Sequence, residues 1–408
     1  MMNLTIVCDV LGKENNGTTI TAMNLIRSMR ARGHAVNVVC SDEEKRGMPG
    51  YYIVPTLNFG PLNGYIERNG VKLAKADRTI LREAMQDADV VHIMLPYSLG
   101  AAAAKVAKEL GKPYTAGCHA LAENLTTHLF LNHLEIANHL TYEAYYRLLY
   151  QDCACVHYVS QMMCDLFESN TKPKPHCVIS NGVGAAFFPT LVEKPEAYRD
   201  KFVILYTGRY SREKSHKVLI DGVSRSKHRD QIQLVFAGSG PLEKSLKVYA
   251  KKLLPIQPVF GFFSREEMTR LYNFADLYVH PARYEAEGIA CLEAMACGNV
   301  ILSSDSPKSA TSCFALSPEN LFRMDDAGDL ADKIDYWLEH PAEKAALGKE
   351  YAQYARKFDT EACMDQMEMM FYAAIKQEQS DLLFGFDGRL CWDEYQNEGS
   401  GREVSVRS

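Results

Sequence analysis

Two carboxylates, Glu285 and Glu293, with seven residues between them, and two cations, Arg209 and Lys214, about eighty residues upstream, are the side chains here best suited to chemistry on an activated anionic substrate. Clustered cations stabilise charge that grows on a departing diphosphate, usually the largest electrostatic contribution to such a transfer. Ionised carboxylates accept hydrogen bonds from sugar hydroxyls. On a helix, positions 285 and 293 would stand roughly 12 Å apart along the axis, at 1.5 Å per residue. That separation fits the two ends of a nucleotide sugar.

The flanking patterns place these residues at a sheet edge. The apolar run Phe202-Val203-Ile204-Leu205-Tyr206 reads as a buried strand that stops at Thr207-Gly208 and so delivers Arg209 and Lys214 into one loop. A second strand, 276–280, leads through a loop at 281–287 to Gly288-Ile289-Ala290, which opens a helix through Ala296. The first N–H groups of that helix lack intrahelical partners and would face an anion.

Strand and helix alternate along the rest of the chain. Strands are expected at 4–10, 35–40, 89–94, 113–118, 156–160 and 176–179, then at 202–206, 234–237, 258–260, 276–280 and 300–303. Helices are expected at 18–32, closed by Gly33, at 99–110, closed by Gly111, across 121–151, which has no glycine or proline, and across 341–377. Such alternation implies parallel sheets with helices on both faces. The pattern lapses at 190–201, so the chain divides into a first domain at 1–189, a linker at 190–201, a second domain at 202–360, a helix at 361–379, and a tail rich in Gly, Ser and charge at 380–408 that is expected to be mobile.

A chain of 408 residues, 47% hydrophobic and 24% charged, can build two domains of ordinary size. A net charge of -6 argues against nucleic-acid binding, which normally demands a basic surplus. Twelve cysteines, from Cys8 to Cys391, show no paired Cys-x-x-Cys spacing, which points away from a zinc or disulfide scaffold and toward a reducing compartment. With no leader before the first strand and no apolar run of about eighteen residues, a cytoplasmic location is expected, with contact to the inner membrane face as a further option.

Further motifs sharpen the reading: Asn181-Gly182-Val183, Gly238-Ser239-Gly240-Pro241, Gly261-Phe262-Phe263 and Glu293-Ala294-Met295-Ala296-Cys297-Gly298. With the cations and carboxylates in this order, residues 4–375 resemble the retaining glycosyltransferases of family 4. The resemblance implies an α/β fold of two Rossmann-like parallel-sheet domains facing across a cleft, called GT-B, with a C-terminal helix packing back on the first domain. It implies that Arg209 and Lys214 hold the donor pyrophosphate, that Glu285 meets hydroxyls of the transferred sugar, and that Glu293 meets the ribose. Gly17, Gly238, Gly240, Phe262, Gly288, Ile289 and Ala290 complete the donor site it implies, and His119 stands at the edge of the transfer site. No cofactor beyond the sugar nucleotide and no catalytic metal are expected. Two departures stand out: Glu287 replaces a usual aromatic or aliphatic residue, and Asp305-Ser306-Pro307-Lys308-Ser309-Ala310 replaces a glycine-bearing loop.

Each site has a plainer reading. Arg209 and Lys214 sit among other charges in what could be a solvated loop, and Glu293 could be a helix-face carboxylate. Glu287 reads as a solvent-side or loop residue. Thr18, after Asn15-Asn16-Gly17, could be only an N-cap. A lone histidine such as His119 or His92 is more often structural, and His92 keeps that reading. Asp87 and Asp89 imitate a metal-binding carboxylate pair but fall where a helix hands over to a strand. The aromatic 121–151 segment could be core, an interface or an acceptor groove, and Lys105, Lys108 and Lys112 would favour an anionic lipid surface if they share its face. The expected activity is hexosyl transfer from a nucleotide diphosphate sugar, UDP-glucose preferred, to an acceptor such as diacylglycerol, a looser resemblance than the donor motifs. A phosphorylase-like or epimerase-like enzyme and a non-enzymatic nucleotide-sugar-binding subunit are the alternatives.

Overall fold

The computed structural model describes residues 1–9, 11, 17–58, 60, 73–128, 131 and 134–377. The expected tail at 380–408 and the Asn15-Asn16 turn lie outside the described residues. The first sheet has seven strands, β1 (Asn3–Val7), β2 (Ala35–Cys40), β3 (Tyr51–Ile53), β4 (Val90–Ile93), β5 (Tyr114–Cys118), β6 (Cys155–Tyr158) and β7 (His176–Val178), in the order β3-β2-β1-β4-β5-β6-β7. The second has six, β8 (Phe202–Thr207), β9 (Ile232–Ala237), β10 (Val259–Gly261), β11 (Leu277–His280), β12 (Ile301–Ser304) and β13 (Leu321–Phe322), in the order β10-β9-β8-β11-β12-β13. Every pairing in both sheets is parallel.

Strands such as β4, β9 and β11 are buried along their whole length because helices cover both faces of each sheet. In both sheets the order reverses beside the first strand, between β1 and β4 and between β8 and β11. Ligands of open parallel sheets sit beyond the strand carboxyl ends at such reversals. The cation loop follows β8 and the acid-bearing loop follows β11, so the two flank the second sheet's reversal. Two short strands, β3 and β13, were not legible in the pattern, being three and two residues long.

The stretch 121–151 is not one helix. It forms helices Ala122–His128 and Glu135–Tyr145 followed by a π-turn at Tyr146–Tyr150. The reason is a polar contact: Tyr142 Oη donates to Glu123 at 2.7 Å and Thr126 Oγ1 meets Asn138 Oδ1 at 2.6 Å. In a single straight helix Glu123 and Tyr142 would stand roughly 28 Å apart. The 341–377 stretch is likewise broken, into Pro341–Ala355 and Thr360–Gln377 around a 3-10 turn at Arg356–Phe358. The Val183 N–H donates to Phe358 O at 2.7 Å where the chain crosses back. The final helix then buries Met364, Met367, Met370 and Phe371 with Leu4, Ile6, Leu25 and Ile26 of the first domain. Arg32 clamps its outer side, pairing with Asp365 and with Glu361 at 2.8 Å. Among the described residues no helix is long and apolar enough to cross a membrane.

Candidate active site

At the carboxyl end of β8 the chain passes Thr207-Gly208 to Arg209 and makes a 3-10 turn at Arg212–Lys214, where Tyr206 Oη donates to Lys214 O at 2.9 Å. The neighbouring loop after β9 lies backbone to backbone against it. A Cβ on Gly238 would stand 2.1 Å from Gly208 O, and one on Gly240 would stand 2.7 Å from Tyr210 N and O. Only glycine lets the two loops close this way, which is the physical content of the Gly-Ser-Gly-Pro motif. Arg209 Nη2 lies 3.3 Å from Glu213, whose carboxylate also accepts from the Ser211 hydroxyl.

The second half of the site follows β11. Glu285 is fixed through its backbone, its N–H donating to Lys308 O at 3.1 Å and its carbonyl accepting from Ala310 N at 2.9 Å. Its carboxylate pairs with Lys214 and accepts from His280 Nε2 at 3.1 Å. Burial would raise the Glu285 pKa, but the Lys214 ammonium and the His280 hydrogen bond outweigh it and hold the acid at about 2. It is therefore an anion at any physiological pH, able to accept hydrogen bonds.

Three residues on, Gly288 caps the Ile289–Ala296 helix with φ +91°, and a Cβ there would strike Thr311 Cγ2 at 2.3 Å. The first intrahelical donors are Cys291 and Leu292, which leaves the N–H groups of Ile289 and Ala290 at the open end of the helix. Across the cleft, Gly17 opens the Gly17–Ala31 helix, and a Cβ on it would come 4.0 Å from Ile289 Cδ1. Four sequence-predicted elements thus meet: the Arg209/Lys214 loop, Glu285, the Gly288–Ala290 helix mouth and Gly17.

Other expected residues fall as follows. Glu293 faces inward on its helix and accepts from Tyr272 Oη at 2.9 Å, and burial lifts its pKa to about 7. Phe262, just past β10, is 67% exposed. His119 follows β5 and lies not alone but against His157, ring centroids 5.4 Å apart. His92 is buried, with its Nδ1 bonded to Thr115 Oγ1 at 2.8 Å. Asp89 accepts from Asn3 N at 2.7 Å at the amino edge of the first sheet, away from the carboxyl edge that carries the site, so the Asp87/Asp89 pair is no part of it.

Glu287 corrects the sequence reading. It is 4% exposed and accepts from the Ser180 hydroxyl, from Asn181 N at 2.8 Å and from the Asn181 side-chain amide. The residue thus staples the second domain to the end of the first. Burial raises its pKa to about 7 despite these bonds. Asn181 opens the Asn181-Gly182-Val183 motif and Ser180 immediately precedes it, and the departure of Glu287 from the usual apolar residue was the available signal. A second cross-domain contact was also unforeseen: Lys308, in the substituted loop, reaches Glu123 at 2.6 Å, and Glu123 is fully buried.

Comparison with known proteins agrees with this geometry. Residues 187–358 match the model for "Glycosyl transferases group 1" and residues 15–187 that for "Glycosyltransferase Family 4". The chain is 27% identical over 73% of its length to a GDP-mannose-dependent alpha-mannosyltransferase of Corynebacterium glutamicum, covering 71% of that protein. It is 22% identical over 75% of its length to an alpha-monoglucosyldiacylglycerol synthase of Streptococcus pneumoniae, covering 72%. With some other curated relatives it shares less, spanning as little as 40% of their length. Anabaena Alr3699/HepE, solved in complex with UDP and glucose, superposes over 91% of this chain and all of its own with a TM-score of 0.73 at 16% identity. Two parallel-sheet domains, a cation loop and an acid-bearing helix mouth at one cleft, and matches to both halves of the family's pattern lead to one conclusion: the chain belongs to the family 4 glycosyltransferases of GT-B fold.

Proposed function

We propose that the chain transfers a hexose, with retained anomeric configuration, from a nucleotide diphosphate sugar to an acceptor hydroxyl, with UDP-glucose as donor and a membrane lipid such as diacylglycerol as acceptor. The observation that carries the reading is the Lys214–Glu285 pair, which joins the cation loop to the acid loop beside the helix mouth. A donor diphosphate entering there gives Arg209, Lys214 and the Ile289 and Ala290 N–H groups a shared anion. Glu285, released from Lys214, accepts from hydroxyls of the sugar. Glu293 takes the ribose, Gly238 and Gly240 bring their loop close to the nucleotide, and Phe262 flanks the base. The acceptor oxygen attacks C1 from the face that the diphosphate leaves, the C1–O bond to phosphate breaks, and the hydroxyl proton passes to the departing phosphate oxygen. Preorganised positive charge at that oxygen lowers the barrier.

The donor choice is supported by the UDP and glucose bound in HepE, although the mannosyltransferase relative uses GDP-mannose. The lipid acceptor is supported by the diacylglycerol glycoside named for the Streptococcus relative and by an exposed apolar strip on the first domain: Leu134 at 46%, Ile136 at 78%, Leu140 at 62% and Leu148 at 48%. Incubation of the purified chain with UDP-glucose and diacylglycerol-containing vesicles, followed by NMR of the product, is the test. An α-glucosyl lipid is expected. Epimerised donor, phosphate-dependent product, or donor binding without turnover on any common sugar nucleotide would refute the reading.

A further inference from the structure

Three histidines gather on and beside neighbouring strands of the first domain. His92 lies on β4 and His157 on β6, and the intervening strand β5 pairs Thr115 with His92 and Gly117 with His157. His119 follows β5 and folds back over it. A Cβ on Gly117 would stand only 2.4 Å from His119 Nε2, so glycine at 117 is what lets that ring fold back over the strand. One side-chain nitrogen from each ring falls within 4.8 Å of one from each of the others.

The outward side of two rings is already bonded. His157 Nε2 meets Ile179 O at 2.8 Å, and since a carbonyl only accepts, Nε2 carries the proton and Nδ1 keeps its lone pair. His92 Nδ1 meets Thr115 Oγ1 at 2.8 Å, which leaves Nε2 as acceptor when Nδ1–H is the donor. Anchoring the outer nitrogen by a carbonyl or hydroxyl is how proteins orient imidazole ligands. The inner atoms His92 Nε2, His119 Nε2, His157 Nδ1, Asn181 Oδ1 and Thr21 Oγ1 are buried and have no hydrogen-bond partner. All five residues line one cavity, whose space for the centre of a water-sized sphere is about 10 Å³, room for one water or one ion.

The chemistry of these atoms selects the occupant. Asn181 gives its amide N–H to Glu287 and therefore turns its oxygen to the cavity. His157 Nδ1 and Asn181 Oδ1 are acceptors, and His92 Nε2 joins them in the stated tautomer. A water has two protons for at most two of them, whereas a cation serves all at once. Ser180 and Asn181, at the cavity wall, are themselves held by Glu287, which fixes the direction of the Asn181 oxygen. We propose that His92, His119 and His157, with Asn181 Oδ1 as a fourth donor, form a binding site for one divalent transition-metal ion of the Zn²⁺ type. Three imidazoles and one oxygen suit such an ion. An ion at the centre of three atoms 4.8 Å apart stands about 2.8 Å from each, so closing to the roughly 2.0–2.1 Å of a zinc–nitrogen bond asks for less than about 1 Å of ring movement. The bound ion would tie β4, β5 and β6 to the Asn181 turn, where the chain leaves the first domain.

The test uses the full chain without a histidine tag and Co²⁺ as probe, with Zn²⁺ as competitor. The expected result is one equivalent of Co²⁺ with tetrahedral d–d absorption, displaced by Zn²⁺, and a melting temperature raised by the metal. Both signals should vanish in His157→Gln and in His92→Asn, and persist in Cys164→Ser, which disables the other cluster of metal-ligating side chains found among the described residues, Cys164, Glu168 and His176. Variants that melt cooperatively without metal count as folded, and two different histidines are changed so that one misfolding variant leaves the other to decide. The proposal is overturned if the wild type binds no stoichiometric Co²⁺, if binding survives the histidine variants, or if thiolate-to-cobalt charge transfer shows the ion on Cys164.

Discussion

Replacing Glu287 by Gln should stabilise this protein, and should do so more as pH rises. The carboxyl is 4% exposed, and burial lifts its pKa from an ordinary 4.5 to about 7. Below pH 4.5 it is protonated in folded and unfolded chains alike and contributes no pH dependence. Between 4.5 and 7 the unfolded chain ionises while the folded one keeps its proton, so stability falls as pH rises, and above 7 the loss is complete. At 1.36 kcal/mol per tenfold change in proton affinity, that loss is about 3 kcal/mol. Glutamine removes the titration and keeps most of the bonding. Its Oε1 accepts from Ser180 and from Asn181 N, and its amide donates to Asn181 Oδ1 once the Asn181 side chain turns over. Urea unfolding at pH 5 and pH 8 should therefore show the variant gaining on wild type by up to about 3 kcal/mol across that interval. Equal pH slopes for the two proteins would refute the assignment of a proton-retaining buried acid at 287. Glu293 carries a pKa of about 7 for the same reason, so part of the wild-type slope should remain in Glu287→Gln and disappear in the double variant with Glu293→Gln.

Three other outcomes follow from the geometry. Lys214→Ala removes a cation from the departing diphosphate and should lower kcat about 10²- to 10³-fold, measured as glucosyl transfer; unchanged turnover would remove Lys214 from the site. Gly288→Ala combines a left-handed backbone, at about 1–3 kcal/mol, with the contact on the Thr311 methyl, and adding Thr311→Ser, which keeps the hydroxyl, should recover only the contact portion in thermal melts. Lys308→Ala leaves the Glu123 carboxylate buried without its cation. Such a loss costs about 3–5 kcal/mol for a fully buried pair, and about 1–3 here because Lys308 is partly exposed; Glu123→Gln in the same background should restore most of it.

Much of the fold was legible because buried parallel strands write themselves as continuous apolar runs, and the glycines at 33, 111 and 288 mark helix ends. The cation loop, Glu285 and the helix mouth were legible for a related reason: residues at the carboxyl ends of neighbouring strands must share a sheet edge. What escaped was set by distant partners. Nothing local distinguishes Glu287 from a solvated acid, because its burial comes from Ser180 and Asn181, more than a hundred residues upstream. The fold-back inside 121–151 has no glycine or proline to announce it and is stabilised by the Glu123–Tyr142 and Thr126–Asn138 pairs. The grouping of His92 with His119 and His157 depends on strand order, which alternation alone does not specify.

The central claim is that the Arg209/Lys214 loop and the Glu285–Ala290 segment enclose one activated sugar donor. A crystal structure of the chain soaked with UDP-glucose tests it most directly. The diphosphate should lie within hydrogen-bond distance of Arg209, Lys214 and the Ile289 and Ala290 N–H groups, with Lys214 drawn off Glu285 and Glu285 on the sugar hydroxyls. A donor bound at any other surface, with the Lys214–Glu285 pair intact, would contradict the account.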